Sequence, residues 1–159
     1  MPRVVGTMLP PEVKSAFDGN DLESQMGLGY VVVTVDEDGS PRSSMLSAGE
    51  ILALDDVTLR LALWPDTNTG RNLADRGSFL LCYVGRGVVC YVRGTAHKLH
   101  HKGQMEVEAF EIEVISTEDD QHPGLPTNKT ITFDCVGIEE ATLLKEWRAR
   151  LSWLRDPEA

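Results

Sequence analysis

Alternation of apolar and polar residues predicts that most of this chain is antiparallel β-structure. From Val57 to Leu63 every second residue is a branched apolar one, which is the period-2 pattern of a strand with one buried face. Segments rich in β-branched residues, which favour strands, recur between short turns such as 36–41 and 85–87. The predicted strands are 29–35, 42–54 with a bend at Gly49, 57–64, 78–84, 88–99, 105–115 and 130–136.

The helical signals are fewer and lie at the edges of this β-region. Pro10 and Pro11 open a short helix that ends near residue 17, and a second short helix is predicted over 71–76. The last helix is predicted over 139–154, because its apolar residues recur at 3- and 4-residue spacing. That stripe is Leu143, Leu144, Trp147, Leu151 and Leu154.

Six or seven strands joined mainly by tight turns argue against a doubly wound parallel sheet, which needs long crossover connections. The pattern therefore predicts a mainly β fold, an antiparallel β-barrel with peripheral helices. We expect one domain over 1–159, with an N-terminal segment 1–26, a barrel 27–137 and a C-terminal helix 138–156.

Two irregularities are predicted inside the strands. Gly94 lies in mid-strand, where glycine marks a bulge or a close approach of backbones. The alternation changes phase between Val107 and Phe110, which predicts a bulge near Ala109. The segment 116–129 is polar and rich in proline and glycine, and we expect a long loop there.

Charge and composition narrow the possible partners. Lys and Arg number 15 against 25 Asp and Glu, giving a formal net charge of −10. An anionic surface repels phosphate backbones, so we expect no nucleic-acid partner and no binding to an anionic membrane. No apolar run reaches the ~20 residues of a membrane helix, and no signal peptide is evident. We expect a cytoplasmic protein.

The loop Thr67–Leu73 carries the most suggestive chemistry. It places two hydroxyls, two amides, a glycine and Arg71 between a strand end and a helix start. Unpaired amides at a helix N-terminus attract phosphate, and an arginine adds charge-assisted hydrogen bonds. The alternative is an ordinary helix cap, in which Thr67 or Thr69 bonds the first-turn amides.

Histidine and cysteine do not indicate a metal or redox site. His97 and His101 share a strand face but lie about 13 Å apart at ~3.3 Å per residue, too far for one zinc ion. Cys82 and Cys90 are equidistant from Arg86 at a hairpin tip, so we expect them to face each other as buried thiols. No spacing of nucleophile, base or paired carboxylates is recognisable, so no catalytic residue is predicted.

The order of these segments resembles the pyridoxamine 5'-phosphate oxidase-like, FMN-binding split-barrel family. The resemblance covers residues 29–96. It depends on the turn 34–41 that ends in Gly39-Ser40-Pro41, the strand 42–47, the strand 59–64, the loop 67–73 and the segment Val92–Ala96.

The resemblance implies a six-stranded antiparallel split barrel and an FMN-dependent oxidoreductase that acts on a small molecule, with NAD(P)H as a candidate electron donor. It also implies a homodimer with the cofactor at the interface. The implied cofactor-binding positions are Ser43, Ser44, Met45, Leu46, Ser47, Leu63, Trp64, Thr67, Thr69, Gly70, Arg71 and Asn72. Among them, Ser44, Thr67, Thr69, Arg71 and Asn72 are expected at the phosphate and ribityl chain, and Leu46 and Trp64 beside the ring.

The chain departs from the family oxidase that makes pyridoxal phosphate at three places. Ser44 stands where that oxidase has an arginine, and Asn68-Thr69 where it has an Arg-Lys pair. The C-terminal Arg-x-His pattern is also missing. These departures argue against pyridoxamine phosphate oxidation and leave a deazaflavin, a haem, or a non-enzymatic flavin or haem sensor as alternatives. Phosphate charge would then fall mainly on Arg71, with Arg42 or Arg76 as helpers.

Overall fold

Nine strands form one curled antiparallel sheet in the computed structural model, which describes residues 1–159. The strands are β1 (Arg3–Gly6), β2 (Leu28–Val35), β3 (Pro41–Ser47), β4 (Ile51–Ala53), β5 (Thr58–Leu63), β6 (Ser78–Gly85), β7 (Val88–Lys98), β8 (Glu108–Asp119) and β9 (Ile131–Thr132). The helices are α1 (Pro11–Phe17), α2 (Leu22–Gln25), α3 (Asn68–Asp75) and α4 (Glu140–Arg155).

The sheet curls into a half-barrel with strand order β3-β2-β6-β7-β8-β5-β4. β1 pairs with β8, and β9 pairs with the start of β2. The predicted mainly β, antiparallel split barrel is therefore confirmed. Its six long strands are β2, β3, β5, β6, β7 and β8, and the three others are short: β4 lies at one edge, and β1 and β9 pair with the ends of β8 and β2.

Several element boundaries differ from the prediction. The predicted strand 42–54 is two strands, β3 and β4, separated by a turn in which the amide of Glu50 donates to the carbonyl of Ser47 (3.1 Å). The predicted strand 130–136 pairs only over β9, and α3 begins three residues before the predicted start at Arg71. The pattern did not predict β1 or α2.

The bulge lies at Ile115, not at Ala109. Arg93 pairs with Ser116 and Gly94 with Val114, which leaves Ile115 as the extra residue of β8. Ala109 pairs in unbroken register with β5, so the bulge predicted there was wrong. Gly94 is a place of close backbone approach, as predicted, because a β-carbon on it would lie 2.8 Å from the carbonyl oxygen of Glu113.

The concave side of the sheet holds one cluster of 31 buried apolar residues, which α1 and α4 help to cover. Phe17 of α1 packs edge-on against Tyr30, and the rings of Tyr30 and Tyr83 stack with centroids 5.6 Å apart. On α4, Trp147 and Leu151 are buried in the same cluster. The apolar stripe of the last helix is therefore part of the core.

Arg60 of β5 fastens the end of α4 to the sheet. Its guanidinium pairs with Glu111 of β8 (3.0 Å) and donates to the carbonyl oxygens of Leu154 (2.9 Å) and Arg155 (2.7 Å). These carbonyls lie in the last turn of α4, where no further helical amide follows to bond them. The side chain of Arg60 thus satisfies the last carbonyls of the helix.

Cys82 and Cys90 do not face each other. Cys82 pairs with Tyr91 and Cys90 with Tyr83, so the two thiols point to opposite faces of the sheet because strand side chains alternate. The expected contact was wrong, although Cys90 is buried and Cys82 half-buried. No group of three or more potential metal-binding side chains occurs in the structure. None of the four helices has the length and apolarity required to cross a bilayer.

Candidate functional site

The candidate site lies at the sheet edge where β3, the end of β5 and the start of α3 meet. Strand alternation divides the five predicted β3 residues between two faces. Ser44 and Leu46 pair with Val32 and Tyr30 and share the concave face with them. The convex face carries Ser43, Met45 and Ser47.

A pocket of about 220 Å³ opens at this junction. Seven of the predicted cofactor-binding residues line it, together with Glu50. The seven are Ser44, Met45, Leu46, Leu63, Trp64, Thr67 and Thr69. Ser43, Ser47 and Gly70 lie nearby without lining it. Apolar side chains and hydroxyls therefore meet in one concave surface.

The first turn of α3 forms one wall of the pocket. Thr67 is the N-cap residue, and its hydroxyl accepts a hydrogen bond from the amide of Gly70 (3.1 Å). The hydroxyl of Thr69 bonds the hydroxyl of Ser44, which links α3 to β3. The predicted capping role of Thr67 is confirmed, and its capping bond leaves the amides of Asn68 and Thr69 without a partner in the protein.

Arg71 and Asn72 lie in a separate polar depression of about 320 Å³ on the other side of this turn. The side chain of Asn72 is buried and donates to Thr34 (3.0 Å) and Asp36 (2.8 Å). Its amide oxygen accepts from Arg76. Because these bonds use both the NH₂ group and the oxygen, the side chain has little capacity left for a ligand.

Two of the three arginines in the depression are committed to partners within the protein. Arg42 makes a bidentate pair with Asp36 (2.8 and 2.9 Å). This pairing, with the hydrogen bond from Asn72, lowers the pKa of Asp36 below its ordinary value. Arg76 donates to the carbonyl oxygen of Val35 (2.7 Å). Arg42 is therefore neutralised by a carboxylate, whereas the acceptors of Arg76 are uncharged.

Arg71 is likewise bonded only to uncharged acceptors. It is exposed, and it donates to the carbonyl oxygen of Asp66 (3.2 Å) and to the side-chain oxygen of Asn68. Both acceptors are uncharged, so the positive charge of Arg71 is not neutralised by a carboxylate. It lies across the α3 first turn from the pocket and does not line it.

Trp64 separates the pocket from a second cleft of about 370 Å³ that lies against α4. Its side chain is 52% exposed, although the preceding residue Leu63 is buried. The guanidinium of Arg150 lies 6.0 Å from the centre of the indole ring. An exposed indole between two concave surfaces is a suitable flat wall for a planar ligand.

The sequence analysis missed Glu50. It lies in the turn between β3 and β4, is half-buried, and lines the pocket together with Trp64. The signal that could have found it is an acidic residue between Gly49 and the apolar run Ile51-Leu52-Ala53. An acid in such a position needs a hydrogen-bonding reason to be half-buried.

Comparison with known proteins gives one curated relative and several structural neighbours. YclD of Bacillus subtilis, itself uncharacterized, is 29% identical over 141 residues, which are 87% of this chain and 90% of YclD. No protein-family model matches the chain.

The structural neighbours share the curled antiparallel sheet. HupZ of Group A Streptococcus superposes with a TM-score of 0.57 at 20% identity, covering 76% of this chain and 100% of HupZ. A Lactobacillus delbrueckii protein proposed to be a pyridoxamine 5'-phosphate oxidase gives 0.53 at 17% identity, covering 74% of this chain and 98% of its own. A heme binding protein of Mycobacterium smegmatis gives 0.51 at 12% identity, covering 89% and 62%.

Proposed function

Since this chain has the split-barrel fold of the pyridoxamine 5'-phosphate oxidase-like proteins, we propose that it is an FMN-dependent oxidoreductase acting on a small molecule. The observation that carries the proposal is the pocket between β3, the end of β5 and the first turn of α3. It combines an apolar surface with hydroxyls, and the unneutralised guanidinium of Arg71 lies in the adjoining depression across the α3 first turn.

The residues present can be matched to the three parts of FMN: the isoalloxazine ring, the ribityl chain and the phosphate. Leu46, Leu63 and Trp64 offer an apolar surface for the isoalloxazine ring. The hydroxyls of Ser44 and Thr69 suit the ribityl chain.

The phosphate end has the unpaired amides of the α3 first turn and the guanidinium of Arg71. The resemblance implied a direct contact between Asn72 and the ligand. The Asn72 side chain instead hydrogen-bonds Asp36 and Arg76 and so stabilises the structure beneath the phosphate end. When bound, the isoalloxazine supplies hydride or electron transfer, and the chain's own residues supply position and exclusion of water.

A haem fits the pocket less well. Haem iron takes an axial ligand from His, Cys, Met or Tyr, and Met45 is the one such residue in the lining. The rings of His97 and His101 lie elsewhere, beside Glu111 and Trp153. A deazaflavin has the same ring shape as FMN and remains the alternative within the flavin class.

We also propose that the protein forms a homodimer through the convex face of the sheet. Met45 is 52% exposed there and Ile131 47%. Val31 and Cys82 lie between them in a shallow groove. Light scattering should give twice the chain mass, and Met45→Lys combined with Ile131→Lys should return a monomer.

Binding is tested by titrating the protein into FMN and into riboflavin while following flavin fluorescence. Arg71→Ala should weaken FMN binding at least tenfold and change riboflavin binding little, because only FMN carries the phosphate. Arg86→Ala, at the exposed tip of the β6–β7 hairpin, is the matched control. If neither flavin binds, or Arg71→Ala behaves like wild type with FMN, the proposed site is wrong.

Catalysis is separated from simple binding by a second assay. NAD(P)H oxidation by the flavin-loaded protein is compared with oxidation by free FMN at the same flavin concentration. A faster rate in the protein supports an oxidoreductase. Equal rates support the alternative of a non-enzymatic flavin-binding protein.

A further inference from the structure

Glu50 lines the pocket, and one of its two carboxylate oxygens has no hydrogen-bond partner. Its Oε2 accepts hydrogen bonds from the backbone amide (2.7 Å) and the hydroxyl (3.0 Å) of Ser47. Oε1 accepts none, and no Lys, Arg or His forms an ion pair with Glu50. The carboxylate is thus half satisfied by its own turn, and the other half of its accepting capacity is unused in a residue that lines the pocket.

The turn holds this carboxylate in place from several sides. The backbone amide of Glu50 donates to Ser47 (3.1 Å), and its carbonyl accepts from Ala62 of β5 (2.9 Å). The preceding residue, Gly49, packs so closely on Trp147 that a β-carbon on it would overlap the indole ring. Oε1 is therefore positioned before any ligand arrives, which reduces the entropy lost on binding.

Chemistry restricts what can lie against Oε1. An ionised carboxylate only accepts hydrogen bonds, and burying it deeper without a donor costs free energy. A ligand that fills the pocket therefore needs an N–H or O–H donor at this end, and an anionic group there would be repelled. Arg71 lies on the far side of the α3 first turn, so the two charged ends of the site have opposite preferences.

We propose that Glu50 is a specificity-determining residue that accepts a hydrogen bond from a ring N–H at the end of the ligand opposite the phosphate. This inference rests on the proposed function and extends it. In an isoalloxazine the only ring N–H in the oxidised state is N3–H, on the pyrimidine edge. Glu50 thus selects flavins that present a free N3–H, with the phosphate toward Arg71.

The test compares FMN with N3-methyl-FMN, which keeps the phosphate and the ring but lacks the donor. Hydrogen bonds to charged groups contribute about 1.5–3 kcal/mol, so the wild type should bind FMN on the order of tenfold or more tightly than N3-methyl-FMN. Glu50→Ala should reduce this preference to about twofold. Glu50→Gln, which keeps the shape and one accepting oxygen, should give an intermediate preference and guards against a folding defect in the alanine variant.

Two control variants distinguish the effect of Glu50 from the loss of any surface carboxylate and from the loss of the phosphate contact. Glu158→Ala removes an exposed carboxylate near the chain end and should leave the preference unchanged. Arg71→Ala should weaken both flavins alike and keep their ratio. Fluorescence quenching gives the dissociation constants, and far-UV circular dichroism checks that each variant is folded.

The outcomes distinguish the two proposals. If FMN does not bind the wild type, the proposed function fails and Glu50 has no flavin to select. If FMN binds but wild type and Glu50→Ala discriminate equally against N3-methyl-FMN, the role of Glu50 is overturned while the flavin site stands. A preference lost in Glu50→Ala and partly kept in Glu50→Gln supports it.

Discussion

The hydroxyls of Ser44 and Thr69 are hydrogen-bonded to each other, across 25 residues of sequence. Ser44 belongs to an edge strand of the sheet and Thr69 to the first turn of α3, so this bond closes one side of the pocket. Because both hydroxyls retain accepting or donating capacity, a ligand can join the bond without breaking it. The same two positions therefore serve the fold and the candidate site.

This link predicts an energetic coupling between the two residues. Ser44→Ala and Thr69→Val should show a coupling of about 1 kcal/mol in the free energy of unfolding, because a net hydrogen bond contributes roughly that much. Urea denaturation of the wild type, both single variants and the double variant measures it. Ser43→Ala combined with Thr69→Val is the control, since Ser43 points to the other face and its effect should be additive.

Asn72 should matter for stability more than its polar side chain suggests. Replacement by Leu removes hydrogen bonds to Thr34, Asp36 and Arg76. The buried hydroxyl of Thr34 is then left without a partner, which costs about 1–3 kcal/mol. For a chain of this size, calorimetry should show a fall in Tm of about 2–4 °C per kcal/mol. Asn128→Leu, on an exposed loop, should change Tm little; equal shifts would contradict the buried network.

Acid should weaken the ion pair between Asp36 and Arg42. Hydrogen bonding to Arg42 lowers the pKa of Asp36 in the folded state, so the pair stabilises the fold above the unfolded-state value of about 3.9. This contribution is lost as pH falls through the lower folded-state value. The difference in unfolding free energy between wild type and Asp36→Asn should therefore shrink below about pH 4.

Urea denaturation at several pH values checks this dependence. Asp75→Asn removes a carboxylate that makes no hydrogen bond or ion pair and controls for the loss of one negative charge. A difference between wild type and Asp36→Asn that stays constant from neutral to acid pH would show that the ion pair does not contribute.

Gly94 should tolerate no side chain. Alanine at this position would place its β-carbon against Ile112 and 2.8 Å from the carbonyl oxygen of Glu113, so the β7–β8 ladder would have to shift. Overpacking of this kind costs about 1–3 kcal/mol. Gly6→Ala is the matched control, because its nearest contact would be an ordinary 3.7 Å. Thermal unfolding of the two variants should differ by several degrees.

The cysteines should differ in reactivity. Burial, with a smaller effect of Asp119, raises the pKa of Cys90 to about 11, and only the thiolate reacts with iodoacetamide. At mildly alkaline pH, Cys90 should be alkylated far more slowly than the half-buried Cys135. Mass spectrometry of tryptic peptides measures both rates, and in urea they should converge.

The local spacing of apolar and polar residues was sufficient to predict the long strands and α4. The alternation from Val57 to Leu63 predicted β5 because burying one face of a strand imposes that period on the sequence. The same reasoning predicted one strand over 42–54, because the apolar run Ile51-Leu52-Ala53 after Gly49 is also typical of a strand. It could not reveal that the chain turns here and that the indole of Trp147, nearly 100 residues later, packs against Gly49.

The sequence could predict which positions lie together at the candidate site. It could not predict the hydrogen bonds and ion pairs among their side chains. Seven of the expected residues line one pocket, because the order of strand, turn and helix fixes which backbone segments meet. The commitment of Arg42, Arg76 and Asn72 to Asp36 and its neighbours depends on contacts between β2, β3 and α3. Residue types alone do not tell a free cation from a neutralised one.

The packing of Trp147 on Gly49 has a consequence for the order of events during synthesis. The residues that shape the pocket, from Ser44 to Thr69, leave the ribosome long before α4 exists. The turn that carries Glu50 gains its indole support, and Arg60 its carbonyl partners, only after residue 155 has been made. A nascent chain therefore holds an unfinished cavity until α4 has been synthesised.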